Sequence, residues 1–112
     1  MAVALSPNET VTVFRLAGDI SGADMEGLLR SLTDVVLKNQ NRVVLNFLKV
    51  SHVSLNGISK LTERNQRLRA LGGEIKLVGL APYVANLFKL VGAFSYFDIV
   101  RSEDEALARF ES

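Results

Sequence analysis

The sequence predicts an α/β fold: one domain over residues 1–112, built on a central four- to five-stranded, mostly parallel mixed sheet with four to five helices. Two observations carry this reading. Apolar, β-branched runs alternate with segments whose apolar residues recur at helical spacing, in the order strand, strand, helix, strand, helix, strand, helix, strand, helix. Right-handed crossovers onto a parallel sheet satisfy such an alternation. The run Val43-Val44-Leu45 is also continuously apolar, as in a strand covered on both faces.

Each element has its own signal. A short strand near Ala2–Leu5 is placed to pair with Val11–Leu16 across the turn residues Ser6-Pro7-Asn8. Gly18-Asp19 is read as the end of the second strand. Ser21 is an N-cap with Asp24 three residues on, a variant capping box. Met25, Leu28, Leu29, Leu32, Val35 and Val36 then share one face of a helix ending near Lys38-Asn39. Arg42–Phe47 is the next strand. After a small polar loop, a helix from about Gly57 to Leu71 turns Ile58, Leu61, Leu68 and Leu71 inward, with Asn65 interrupting the stripe and Gly72-Gly73 stopping it. Glu74–Leu80 is a third core strand. Pro82 opens a helix with Val84, Leu87, Phe88 and Val91 inward, and Gly92 ends it. Phe97–Val100 is a short strand, and Ser102 with Glu105 forms a capping box for a last helix through Leu107 and Phe110.

Composition excludes several chemistries. With 112 residues and 48% hydrophobic content, the chain is long and apolar enough to bury a core. The formal net charge of +1 gives no general field for nucleic acid or anionic membrane, and no recognition-helix pattern suggests DNA binding. The absence of cysteine removes disulfides, thiolate zinc sites and thiol nucleophiles. His52 is the one histidine, too few for a histidine-rich metal site, and no carboxylate or hydroxyl pairs with it convincingly for catalysis. A packed or half-buried imidazole is its expected role. The N-terminus lacks the pattern of a secretory signal, and Leu77–Phe94 contains Pro82, Asn86 and Lys89, so neither a leader nor membrane insertion is expected. A cytoplasmic setting fits. Gly18, Gly22, Gly57, Gly72, Gly73, Gly79 and Gly92 form neither a dinucleotide fingerprint nor a Walker loop, and no cofactor is expected.

The segment SHVSLNGIS, residues 51–59, hands a strand to a helix through a polar loop with one glycine. Alone, this is compatible with a phosphate site, a phosphorylation switch or a helix cap. Its wider context, VVLNFLKVSHVSLNGI, resembles the STAS domain family, named for sulfate transporters and anti-sigma factor antagonists. LAGDIS at 16–21 is similar to that family's early turn. RALGGEIKLVGLAPYVANLFKLVGAFSYFDIVRSEDEAL, 69–107, is similar to its second half. Together the likeness spans about residues 10–110.

The resemblance implies a non-enzymatic regulator that binds an anti-sigma factor, itself a serine kinase-like ATPase, and that is released when a hydroxyl residue just before the loop glycine is phosphorylated. About −1.5 to −2 charges would then enter a packed interface. This sequence departs from that pattern. The glycine is Gly57, and the residue before it is Asn56, which has no hydroxyl to phosphorylate. Leu55 stands at the preceding hydroxyl position, Ser54 at the loop aspartate and Asn46 at the strand aspartate. Ser54 and Ser59 are the alternative phosphosites. Structurally, Asn56 reads as an N-cap and Ser54 as a turn residue.

Lys60, Arg64 and Arg67 recur at i, i+4 and i+7, opposite the apolar stripe. They form either a solvated face or a contact surface for an acidic partner. By the resemblance, the partner-binding set is Ser21, Gly22, Ser54, Leu55, Asn56, Gly57, Lys60, Arg64 and Arg67. The partner is an anti-sigma factor, a serine kinase-like ATPase or another regulatory protein; a homo-oligomer is left open. The alternative is a non-switching STAS subunit of a multiprotein signalling or membrane-transport complex. An enzyme is a third reading for which the sequence supplies no catalytic constellation.

Overall fold

The structure, a computed structural model, describes residues 2–7 and 11–111, with side chains from Val11 onward. Strand β1 (Ala2–Pro7) runs antiparallel to β2 (Thr12–Ile20), in register from Ala2 opposite Ala17 to Pro7 opposite Thr12. Pro7 thus lies on an edge strand, where proline is confined when it occurs within sheets. Asn8, the last residue of the expected turn, lies outside the described residues. The chain continues through α1 (Gly22–Leu37), β3 (Arg42–Val53), α2 (Leu55–Ala70), β4 (Glu74–Val78) and α3 (Pro82–Leu90). A 3-10 turn (Phe94–Tyr96), β5 (Asp98–Val100) and α4 (Glu103–Glu111) complete it.

The sheet order is β1-β2-β3-β4-β5, with β2 to β5 parallel. Because each crossover moves one strand the same way, right-handedness sends α1, α2 and α3 to one face. There Phe14, Leu45, Phe47 and Leu77 meet Met25 and Leu32 of α1, Ile58 and Leu61 of α2, and Phe88 of α3 in the larger core. Among the described residues, the opposite face is covered by α4 alone. Ala106, Leu107 and Phe110 pack on Val11, Val13, Val44, Val78 and Val100. This two-sided cover is what the unbroken Val43-Val44-Leu45 run predicted.

Polar contacts fasten α4. Arg15 donates from Nε and Nη2 to the two Glu103 carboxylate oxygens, both at 2.8 Å, and Asn46 Nδ2 donates to the same carboxylate at 2.7 Å. Lys76 is buried, with its Nζ 4.6 Å from the Phe110 ring centre and 2.8 Å from Asp98 Oδ2. Asp98 also receives Arg109. The last capping box is rearranged. Ser102 Oγ accepts from Glu105 N–H as expected, but the Glu105 carboxylate reaches Arg101 N–H.

Several boundaries differ from the sequence expectation. Gly18-Asp19 does not end β2. The pairing shifts register there and again between Arg15 and Ala17, each time leaving an extra residue on β3. Gly18, at φ 82°, takes a left-handed backbone on β2 opposite the second of these shifts, a conformation glycine adopts without strain. Strand β3 therefore runs to Val53, not Phe47, and outruns β4, whose pairing stops at Asn46 opposite Val78. Asn46 Oδ1 accepts the Leu48 N–H at 2.9 Å and fixes the first bulge. Strand β4 ends at Val78, short of Leu80, because Gly79 (φ 69°) turns the chain beneath the Leu48 side chain. Leu71 is not inward. It follows the end of α2 and is 60% exposed. Asn65, the interruption in the α2 stripe, is 1% exposed: Oδ1 accepts Ile75 N–H at 2.8 Å and Nδ2 donates to Tyr96 O at 3.0 Å.

Candidate functional site

At one end of the sheet, β2 enters α1 and β3 enters α2 side by side. Ser54 N–H donates to Ile20 O at 3.0 Å, which ties the two junctions together. The expected loop at 51–57 is reduced to one residue. Ser51, His52 and Val53 belong to β3, and α2 begins at Leu55.

Ser54, not Asn56, is the N-cap of α2. Its Oγ accepts Gly57 N–H at 3.2 Å and its carbonyl accepts Ile58 N–H at 3.0 Å. Both residue types cap well. Gly57 is buried against α1, where an added Cβ would stand 3.1 Å from Met25 Cγ. The capped first turn of α2 therefore packs on α1 through Gly57. Asn56 then lies on the outer side of that turn, exposed, beside Leu55, which is 43% exposed.

The start of α1 is capped as the sequence predicts. Ser21 Oγ accepts Asp24 N–H, and Asp24 Oδ2 accepts from Ser21 N–H at 3.1 Å and Ser21 Oγ–H at 2.9 Å. The Ser21 backbone and hydroxyl bonds hold the Asp24 carboxyl below its ordinary pKa. Ser21 and Gly22 are both exposed.

The basic residues of α2 face its α1 flank instead of pointing away from the core. Lys60 pairs with Glu26, whose pKa is lowered by that bond. Arg64 Nη1 donates to Leu29 O at 2.8 Å and to Thr33 Oγ1 at 3.0 Å. Arg67 pairs with Glu63 at 2.6 Å within α2. Thus Lys60, Arg67 and their acidic partners form an exposed mixed-charge strip, while Arg64 is committed to bracing α1.

Among the alternative hydroxyls, Ser59 is exposed and lies 3.5 Å from Leu55 O, whereas the half-buried Ser54 hydroxyl is engaged as the cap. His52 is half-buried, as expected. Its ring stacks on Tyr83 at 5.8 Å, and Nδ1 lies 3.0 Å from the tyrosine hydroxyl. Sequence reasoning missed Met25, Glu26 and Tyr83 as neighbours of the site. No local pattern signals them, because sheet register and helix packing bring them there. Ser21, Gly22 and 54–57 do converge on one end; Lys60, Arg64 and Arg67 line the groove leading from it. This end of the molecule thus combines the exposed Leu55 with the Lys60–Glu26 and Arg67–Glu63 ion pairs along the α1 flank of α2.

Among the described residues there is no cluster of three metal-ligating side chains, and no helix is long and apolar enough to cross a membrane.

Comparison with known proteins bears on the family and the fold. The family model described as the STAS domain matches residues 2–106. A Bordetella bronchiseptica protein named "Putative anti-sigma factor antagonist BtrV" is 28% identical over 112 residues, covering 100% of this chain and 97% of that protein. The unphosphorylated anti-sigma factor antagonist SpoIIAA superposes with a TM-score of 0.85 at 21% identity, covering 98% of this chain and 96% of its own. An anti-sigma factor antagonist from Mycobacterium paratuberculosis superposes at 0.84 with 19% identity, covering 99% and 94%.

Proposed function

The chain belongs to the STAS domain family, and we propose that it is a cytoplasmic, non-enzymatic regulator of the anti-sigma factor antagonist kind, docking an anti-sigma factor or serine kinase-like partner without the usual phosphorylation switch. One observation carries the reading: Leu55 and Asn56 are displayed on an exposed first turn of α2 that Ser54 and Gly57 hold rigidly from beneath. The docking surface comprises Ser21, Gly22, Leu55 and Asn56, with Ser54 and the buried Gly57 supporting it from beneath, and continues along α2 through Lys60 and Arg67, where Arg64 braces α1. Leu55 supplies an apolar anchor, and the Lys60–Glu26 and Glu63–Arg67 pairs supply a charged rim. Asn56 cannot accept a phosphoryl group. The surface therefore stays in its binding state unless Ser59 or Ser54 takes over.

The test begins by purifying the partner with the intact chain and identifying it. Leu55→Asp should weaken the measured affinity at least ~10-fold, the scale of a central apolar anchor. Hydrogen exchange should show protection at 21–22 and along 54–67. Partner binding with protection elsewhere, or unchanged affinity of the variant, rejects the surface. Incubating the chain with an ATP-loaded kinase partner and reading intact mass separates the regulatory versions: no added phosphate supports a permanently competent antagonist, and one phosphate mapped to Ser59 or Ser54 restores a displaced switch.

A further inference from the structure

Asn56 is followed by Gly57, and it is the one asparagine of the chain that precedes a glycine. Asparagine is thermolabile because a backbone nitrogen can attack its side-chain amide; glycine, lacking Cβ, leaves that nitrogen least hindered. From this juxtaposition on the exposed first turn of α2, we infer that Asn56 is a self-modifying position, converted slowly and irreversibly to aspartate and isoaspartate, with Ser54 as the guard that sets the rate.

The chemistry needs only water. The Gly57 backbone nitrogen loses its proton and bonds to Asn56 Cγ. The Cγ–Nδ2 bond breaks and ammonia leaves with the proton. The resulting cyclic imide takes up one water. Attack at Cγ restores the normal peptide link and leaves an aspartate side chain; attack at the backbone carbonyl carbon shifts the link to the side chain and gives isoaspartate. No oxidant or reductant enters.

The fold supplies the control. The nitrogen that must attack is the one whose hydrogen is held by Ser54 Oγ at 3.2 Å. Ser54 O also binds Ile58 N–H at 3.0 Å and keeps residue 56 within the helical turn. Ring closure requires residue 56 to leave helical geometry, so conversion proceeds only through local opening of this first turn. Gly57 in turn is buried against α1, where an added Cβ would require the Met25 side chain to give way. The normal product carries a carboxylate near the start of a helix, where the dipole favours it. IsoAsp inserts an extra backbone carbon into the capped turn. Both place a negative charge beside Leu55. The consequence for docking rests on the function proposed above; the conversion itself does not.

The full-length folded chain is aged at mildly alkaline pH and physiological temperature, then peptide-mapped by mass spectrometry at intervals. Asn56 should convert before the other asparagines, and the map should show both aspartate isomers. Ser54→Ala should accelerate conversion roughly 2- to 30-fold, the population shift expected from losing a side-chain cap, whereas Ser54→Thr, which keeps the oxygen, should stay near the wild-type rate. The inference is overturned if another asparagine converts first, or if a folded Ser54→Ala chain ages no faster than wild type. The wild-type map decides the position even if Ser54→Ala does not fold. It requires no partner, so it can fail independently of the docking surface.

Discussion

At position 65 an amide sits where the stripe of α2 calls for an apolar residue, and the structure explains the exception. The Asn65 side chain serves two backbone groups that helix and sheet leave unpaired, Ile75 N–H and Tyr96 O. Removing a partner from a buried donor leaves its desolvation uncompensated, so Asn65→Ala should lower unfolding free energy by about 1–3 kcal/mol in chemical denaturation. A loss below the error of that measurement would show that water reaches Ile75 N–H. Ser21 was legible from the sequence because a capping box is a local i to i+3 pattern. Ser54 was not. Two good capping residues stand two apart, and no local pattern chooses between them.

Among the elements, the strands and helices were found in order, but β3 was cut short. Its exposed Leu48 and Lys49 and its two bulges break the apolar pattern that marks a strand, although β2 still pairs with it. The basic stripe of α2 was seen but placed on the wrong side, since only the packing of α1 shows where Glu26 and Thr33 lie. Helix α4 yields a pH prediction. Glu103 is held below its ordinary pKa, first by Arg15 and also by Asn46, although its partial burial pushes the other way. A depressed folded pKa means that the unfolded chain binds the proton more tightly. The contribution is therefore full above the unfolded Glu value and is lost as pH falls through the folded one. Glu103→Gln should cost roughly 0.5–1.5 kcal/mol at neutral pH. It should also flatten the loss of stability below about pH 4 in denaturation curves. Parallel curves for the variant and wild type would remove Glu103 from the acid response.

On the scale of the whole molecule, among the described residues one face of the sheet has three helices and the other has only α4. Truncation after Val100 should uncover Val11, Val13, Val44 and Val78, and the shortened chain should bind an apolar dye and self-associate in light scattering. A monomeric, dye-silent product would show that α4 is dispensable cover. The sheet order carries a consequence for synthesis. Every strand lies beside the one made just before it, so a chain emerging from the ribosome never waits for a distant segment to complete a pairing. Each new hairpin or crossover can settle on an existing template, and the loops to be closed stay short. Assembly can then keep pace with translation, and α4, emerging after the sheet that it covers, closes the valine-lined side.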